Sequence, residues 1–217
     1  MTHRVFVTGG TGYVGRPLVA ALLARGHEVH ALARSGSAAK LPPGARPVIG
    51  NALDDATFAS GIPPGATVVH LVGTPHPNPS KAAEFQRVDV ASIRATMAAV
   101  RRAAVRHVVY VSVAHPAPVK AAYIAARQEG EALVRAAGVP ATILRPWYVL
   151  GPGHRWPYLL VPIYALMRRV PKTRDGAERL GLVTRDAMVA ALVRAVEAPP
   201  AGGVRIVGVP EIRRAAM

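Results

Sequence analysis

Short apolar segments alternate with helical segments along almost the whole chain, and this alternation restricts the possible folds more than any other feature. Strands that are apolar throughout and separated by helices are typical of a parallel sheet covered on both faces. The sequence therefore predicts an α/β fold with a doubly wound parallel sheet. The predicted strands are residues 4–8, 28–33, 46–50, 66–72, 107–112, 141–145 and 204–208.

The intervening helices are read from helical spacing and from the residues that end them. Glycine commonly stops a helix, and Gly26 and Gly138 follow two of the predicted helices. After Arg145 the alternation loosens, so residues 146–157 are expected to form a loop and 158–169 an apolar helix or two short ones. The predicted helices are 13–26, about 81–104, about 121–137 and 186–197.

A glycine-rich turn, TGGTGYVG, follows the first strand and opens the first helix. Gly9, Gly12 and Gly15 are spaced so that the backbone can turn tightly and come close to a pyrophosphate. The N-terminus of the helix adds unpaired N–H groups and the positive end of its dipole. This context, rather than the glycine triplet alone, predicts a dinucleotide-binding site in a Rossmann-type sheet.

The end of the second strand indicates which dinucleotide is preferred. A carboxylate there would hold the ribose hydroxyls of NAD, but this sequence has Arg34 and Ser35 instead, and Glu28 lies at the opposite end of the strand. An arginine can pair with a 2′-phosphate, so NADP(H) is favoured over NAD(H). The alternative is that Arg34 is one more exposed arginine in a chain that has 23 of them.

The net charge is +15, from 27 basic and 12 acidic residues. The arginines are spread along the chain and no aromatic residues interleave with the basic clusters, so no specific nucleic-acid partner is expected. The absence of cysteine excludes disulfides and thiolate metal sites and favours a reducing, cytoplasmic location. The eight histidines show no ligand spacing, and no metal is expected.

The longest nearly uncharged apolar run covers residues 156–167. Its 12 residues are too few for the roughly 20 that span a bilayer, which leaves contact with a membrane surface as a weak alternative. The sequence gives no indication of the oligomeric state.

Four sequence blocks occur in an order that resembles the short-chain dehydrogenase/reductase superfamily. They are VTGGTGYVG (7–15), VYVS (109–112), YIAAR (123–127) and ILRPWYVLGPG (143–153). Within that superfamily the chain is most similar to the extended or atypical branch, which includes NAD-dependent epimerases and dehydratases, NmrA-like regulators and an accessory subunit of respiratory complex I. Some members of this group are reductases, and others bind the nucleotide without turnover.

The resemblance implies positions for the cofactor. Residues of the glycine-rich turn would line the pyrophosphate, residues after the third strand the adenine, residues at the end of the fourth strand the adenosine ribose, and residues after the sixth strand the nicotinamide. Asn51 departs from the family, which usually has Gly-Asp there. The implied cofactor residues are Gly9, Thr11, Gly12, Tyr13, Val14, Gly15, Asn51, Ala52, Leu53, Leu71, Val72, Gly73, Pro146 and Trp147.

Three residues are candidates for catalysis. Ser112 ends the fifth strand, where a hydroxyl would orient the substrate, and Tyr123 and Arg127 lie four positions apart on one helix face. Tyr123 would act as the acid/base. Arg127 replaces the family's lysine and would hold the ribose and supply charge, although it cannot relay a proton. Alternatively, Tyr123 is a half-buried helix residue and Arg127 a surface charge.

Two functional hypotheses follow. The leading one is an oxidoreductase that transfers hydride between NADP(H) and a small apolar carbonyl or alcohol substrate. In it, residues 1–217 form one domain and 146–217 build the substrate side. The other is a non-catalytic accessory or sensor protein that docks on a protein partner. The aromatic residues after the sixth strand would wall an apolar pocket or pack into the core; they are Trp147, Tyr148, Trp156 and Tyr158. His76 and His154 would face the mouth of the active site or, as is commoner for a loop histidine, be exposed to solvent.

Overall fold

The computed structural model describes residues 2–152, 167 and 170–216 of the chain. These described residues contain nine strands: β1 (Arg4–Thr8), β2 (Glu28–Ala33), β3 (Arg46–Ile49), β4 (Thr67–His70), β5 (His107–Val111), β6 (Ala141–Leu144), β7 (Tyr148–Leu150), β8 (Leu182–Thr184) and β9 (Val204–Val207). The main helices are α1 (Gly15–Ala24), α2 (Ala91–Arg102), α3 (Ala121–Ala136), α4 (Pro171–Arg179), α5 (Arg185–Glu197) and α6 (Val209–Arg214). The helix predicted over 158–169 lies almost entirely outside the described residues.

Seven strands form one sheet in the order β3-β2-β1-β4-β5-β6-β9, and every neighbouring pair is parallel. The central strands are buried along their whole length, which explains why their sequences are apolar throughout rather than alternating. The strand order changes direction between β1 and β4, and ligands of such sheets bind at that crevice. The predicted Rossmann-type α/β fold is confirmed.

Two hydrophobic clusters cover the two faces of the sheet. One face packs against α1, α5 and α6, with Leu18, Leu22 and Leu192 fully buried. The other packs against α2 and α3, with Met97 and Phe58 fully buried. Because both faces are covered, polar functional groups are confined to the strand ends and to the loops that follow them.

The segment after Arg145 contains more regular structure than the sequence predicts. Tyr148–Leu150 and Leu182–Thr184 pair in parallel as a separate two-stranded sheet, with Tyr148 opposite Leu182 and Leu150 opposite Thr184. Residues 146–157 were expected to form a loop, and the difference arises because a three-residue strand is stabilised by its distant partner rather than by local pattern. This small sheet fixes the residues that follow β6.

The predicted helix over 81–104 is present but is not uniform. A turn of α-helix at Ala82–Glu84 leads into a π-helical stretch, Phe85–Val90, before α2 begins. A π-helical turn changes which side chains face inward, and here Phe85 and Asp89 are both buried. None of the helices in the described part of the chain is long and apolar enough to cross a bilayer.

Candidate functional site

The glycine-rich turn has the geometry that a bound pyrophosphate requires. Gly9 has φ +75°, and the N–H of Gly12 donates to its carbonyl oxygen at 3.0 Å. A Cβ at Gly15 would overlap that same oxygen, so any side chain there would force the turn apart. The absence of a Cβ leaves a backbone cradle at the N-terminus of α1, and this cradle fits the phosphates of a dinucleotide.

A groove of about 440 Å³ runs from this turn across the ends of β2, β3 and β4. We call it the dinucleotide groove. It brings together residues from four segments that the sequence assigned to the cofactor. Its lining consists of Gly9, Thr11, Gly12, Leu32, Ala33, Arg34, Ser37, Gly50, Asn51, Ala52, Leu53, Leu71, Val72, Gly73 and Val88.

Arg34 lies at the end of this groove and is exposed. Its guanidinium makes no hydrogen bond or ion pair with the residues that the structure describes. Ser37, rather than the expected Ser35, is the hydroxyl residue that lines the groove, and its Oγ donates to the Arg34 carbonyl at 3.1 Å. None of the described residues in the lining is an aspartate or glutamate.

Asn51 shapes the loop after β3. Its side-chain oxygen accepts the Leu53 N–H at 3.1 Å, and Thr57 Oγ1 accepts the Asn51 N–H at 2.9 Å. Such an Asx turn uses the side-chain carbonyl oxygen of the asparagine and does not require its NH₂ group. Asn51 therefore closes the turn after β3 with its own side chain.

A second cavity of about 540 Å³ adjoins the first through the same glycine-rich turn. We call it the aromatic cavity. Tyr13 and Val14 lie on its near side, and Trp147 and Tyr148 form its far wall with their rings edge to face at 5.5 Å. Among the described residues, its lining is Tyr13, Val14, Thr74, Pro75, His76, Pro77, Asn78, Val113, Lys120, Tyr123, Trp147, Tyr148 and Val149. Pro146 is buried behind this wall.

Trp147 combines the two roles predicted for the aromatic residues, which were to wall a pocket or to pack into the core. It lines the cavity, and it also packs against the core cluster on the α1 and α5 face. His76 lies in the cavity lining and is also exposed to solvent, so both of the states expected for it are present. Trp156, Tyr158 and His154 lie outside the described residues.

Tyr123 faces the aromatic cavity from the first turn of α3. Its ring packs against Phe85 with the ring centroids 5.2 Å apart, and the Arg127 guanidinium carbon lies 5.2 Å from its centroid. The tyrosine and the arginine predicted to act together are therefore adjacent.

Arg127 itself is buried, with only 6% of the residue exposed, so it is not a surface charge. Its Nη2 pairs with Asp89 Oδ1 at 2.8 Å, and its Nη1 donates to the Val111 carbonyl at 3.0 Å. Burial opposes the charged form, but Tyr123, Tyr110 and Asp89 together raise the pKa of Arg127 above its ordinary value. The guanidinium stays charged; Nη1 and Nη2 are engaged by Val111 and Asp89, whereas the buried Nε has no hydrogen-bond partner among the described residues.

Ser112 is not brought into the aromatic cavity, in contrast to the expectation from its place at the end of β5. Its Oγ donates to Glu131 Oε1 at 2.7 Å, and Arg145 donates to both oxygens of the same carboxylate at 2.8 and 2.5 Å. Burial alone would raise the pKa of Glu131, but the bonds from Arg145 and Ser112 lower it below its usual value. Ser112 therefore belongs to an ionic network that ties β5, α3 and β6 together.

Three residues at the site were not anticipated from the sequence. Asp89 holds Arg127, Ser37 lines the groove and Lys120 enters the cavity just before α3. Asp89 could have been noticed as a lone carboxylate on an otherwise apolar helix face. Lys120 could have been noticed as a cation three positions before Tyr123. In the part of the chain that the structure describes, no group of three or more histidine, aspartate or glutamate residues could hold a metal ion.

Comparisons with known proteins agree with this geometry. A family model described as NAD(P)H-binding matches residues 9–157. The 4-hydroxy-2-methyl-3-oxo-4-farnesyl-3,4-dihydroquinoline-1-oxide ketoreductase of Stigmatella aurantiaca is 33% identical over 170 residues, which cover 68% of this chain and 51% of that protein. The 3-diazoavenalumate denitrifying reductase of a Streptomyces species is 30% identical over 226 residues, which cover 92% of this chain and 74% of that protein.

A solved structure gives the corresponding similarity in fold. A short-chain dehydrogenase/reductase superfamily protein from Agrobacterium tumefaciens, with bound NAD, superposes with a TM-score of 0.69 at 22% identity. The match covers 95% of this chain and 77% of that one. This chain spans about half the length of the Stigmatella relative.

Proposed function

Because this chain belongs to the NAD(P)H-binding family within the extended short-chain dehydrogenase/reductases, we propose that it is a reductase that uses NADP(H). In this proposal, hydride passes between the nicotinamide and a carbonyl or alcohol carbon of a small, largely apolar substrate. Residues 1–217 act as one domain, in which the part from 146 onward supplies the substrate side. The cofactor lies in the dinucleotide groove and the substrate in the aromatic cavity.

The main support for this proposal is that the dinucleotide groove and the aromatic cavity are continuous along the glycine-rich turn. Thr11 and Gly12 line the dinucleotide groove, and the next two residues, Tyr13 and Val14, line the aromatic cavity. A dinucleotide with its adenosine end near Arg34 and its pyrophosphate on the glycine-rich turn extends into the cavity. Its nicotinamide then lies beside the residues that line the cavity, including Tyr123.

The nicotinamide supplies or accepts hydride when the cofactor is bound, and the protein must handle the proton. Tyr123 lines the cavity and is the proposed proton donor to the carbonyl oxygen. Arg127, beneath its ring, stabilises the phenolate that remains. Since Asp89 and Val111 occupy the guanidinium, we assign Arg127 this electrostatic role rather than ribose binding. We assign Ser112 the role of fixing the end of β5 through Glu131.

The preference for NADP(H) is supported by Arg34 and by the absence of a carboxylate among the described residues that line the groove. An aspartate or glutamate would accept hydrogen bonds from the ribose hydroxyls of NAD and would repel a 2′-phosphate. Arg34 instead offers a planar fork of donors that suits a phosphate. Ser37 adds a hydroxyl in the same place.

The test of this function is NADPH oxidation on a panel of aryl and alkyl ketones and aldehydes. Tyr123→Phe removes the proton donor while keeping the ring that packs on Phe85, so it should lower kcat by about 100-fold or more with the dissociation constant of NADPH unchanged. A wild-type protein that binds NADPH tightly but turns over no member of the panel would instead favour the nucleotide-binding accessory or sensor protein.

A further inference from the structure

Lys120 occupies an unusual place in the aromatic cavity. It immediately precedes α3 and has a left-handed backbone, with φ 64° and ψ 36°. Its side chain is half-buried, and Nζ lies 4.3 Å from the ring centroid of Tyr148 and 5.1 Å from that of Trp147. His76 is the only other non-glycine residue with a positive φ among those the structure describes, and it lines the same cavity.

Several physical terms work against a lysine at this point. A left-handed backbone costs a residue with a Cβ about 1 kcal/mol. Burial disfavours the ammonium and lowers the pKa of Lys120. The positive end of the α3 dipole lies beside the charge, and the first turn of α3 contains no acidic residue to offset it. The two aromatic faces compensate only in part.

In the part of the chain that the structure describes, no carboxylate stabilises the lysine. Within the described ranges its ammonium makes no ion pair, and the aromatic cavity has no aspartate or glutamate in its lining. Residues 153–169, most of which lie outside those ranges, contain neither acid. The buried cation of Arg127 is stabilised by Asp89. Lys120 has no such acidic partner among the described residues.

We propose that Lys120 binds a carboxylate of the substrate, so that the protein selects carbonyl compounds with an acidic group over their neutral counterparts. This inference rests on the proposed function, since it names the class of substrate that the same cavity accepts. The anion would neutralise the half-buried ammonium and would also be favoured by the N–H groups that open α3. Trp147 and Tyr148, which lie against the ammonium, would contact the adjoining apolar part.

The test compares matched pairs of ketones, each as the free carboxylic acid and as its methyl ester. The wild-type protein should show a kcat/KM at least 10-fold higher for the acid. Lys120→Met should abolish this preference, so that the ratio of kcat/KM for the acid to kcat/KM for the ester falls to about one. Lys120→Gly, which suits the left-handed backbone, should give the same result and guards against misfolding of the methionine variant.

Lys40→Met is the matched control, because Lys40 is exposed and lines neither the dinucleotide groove nor the aromatic cavity. This variant should keep the preference for the acid. Equal kcat/KM values for acid and ester in the wild type would overturn the inference and leave the proposed reductase intact. Loss of NADPH affinity in Lys120→Met would also overturn it, because Lys120 would then bind the cofactor.

A binding measurement separates this inference from the reaction itself. Quenching of tryptophan fluorescence in the NADPH-loaded protein reports binding near Trp147 whether or not turnover occurs. If the acids bind at least 10-fold more tightly than the esters, and Lys120→Met removes this difference, the inference stands even where no ketone is reduced. Equal binding of acids and esters overturns it.

Discussion

Arg127 Nη2 lies 2.8 Å from Asp89 Oδ1, and both side chains are almost entirely shielded from solvent. The other carboxylate oxygen of Asp89 accepts the N–H and the hydroxyl of Thr74, at 2.9 and 2.6 Å. Thr74 lines the aromatic cavity. The pair thus links the helix that holds Tyr123 to the loop after β4, and it fixes two walls of the cavity relative to each other.

Breaking this pair should destabilise the protein strongly. Arg127→Met leaves the Asp89 carboxylate buried without its cation, and we expect a loss of about 3 kcal/mol or more in the free energy of unfolding, measured by urea denaturation. The double variant Asp89→Leu/Arg127→Met should recover much of that loss. A single variant within about 0.5 kcal/mol of the wild type would contradict this role of the pair.

Gly15→Ala should abolish nucleotide binding, because the new Cβ would overlap the carbonyl oxygen of Gly9 and open the glycine-rich turn. Fluorescence titration with NADPH measures the effect, and we expect the dissociation constant of NADPH to rise by at least 100-fold. Gly176→Ala is the matched control. Gly176 lies within α4 with no atom within 4 Å of its would-be Cβ, so binding should be unchanged and stability should rise by about 0.5–1 kcal/mol.

Arg34→Gln should reduce the preference for NADPH. The glutamine removes the charge that would pair with the 2′-phosphate, so NADPH affinity should fall by about 10-fold or more while NADH affinity changes little. Titrating each variant with both cofactors gives the ratio directly. Lys40→Gln, at the end of the same 3₁₀ turn, controls for a general loss of positive charge and should leave the ratio unchanged. Equal affinities of the wild type for both cofactors would exclude Arg34 as a selectivity residue.

The buried His70 should make stability fall as the solution becomes acidic. Burial, and then the charge of Arg127, lower its pKa from 6.5 to about 3. Below pH 6.5 the unfolded chain therefore binds a proton that the native protein does not. The free energy of unfolding should therefore fall by about 2 kcal/mol between pH 7 and pH 5 from this residue alone.

His70→Gln should flatten that dependence. Urea denaturation of both proteins at pH 7, 6 and 5 measures it. The variant will be less stable at pH 7, because it disturbs the hydrogen bonds of the ring to Thr8 and Thr96. Its free energy of unfolding should nevertheless fall less than that of the wild type as the pH is lowered. Parallel pH profiles for the two proteins would show that His70 is not the group that titrates.

The seven strands of the main sheet could be predicted because each is a short, apolar run bounded by turn residues. The largest difference was in β4, expected over 66–72 and observed at Thr67–His70. The same strand pattern predicted the glycine-rich turn and most residues of the dinucleotide groove, because the ends of parallel strands meet at one edge of the sheet. The family resemblance supplied the specific positions.

The remaining features depend on contacts between distant parts of the chain. Whether Arg127 faces solvent or the interior is decided by Asp89, which lies in a π-helical stretch that local spacing does not reveal. Ser112 turns toward Glu131 because Arg145 holds that carboxylate beside it. In both cases the sequence identified the residue, and the partner determined where its side chain points.

The pairing of β7 with β8 has a consequence for the order in which the protein is assembled. Every described residue that lines the dinucleotide groove precedes residue 89, whereas Tyr148 in the cavity wall is paired with Leu182. In a chain synthesised from its N-terminus, the nucleotide-binding surface is therefore made well before the wall beside it can be secured. A product that stopped before Leu182 would carry all the groove residues but would lack the strand that holds the aromatic wall in place.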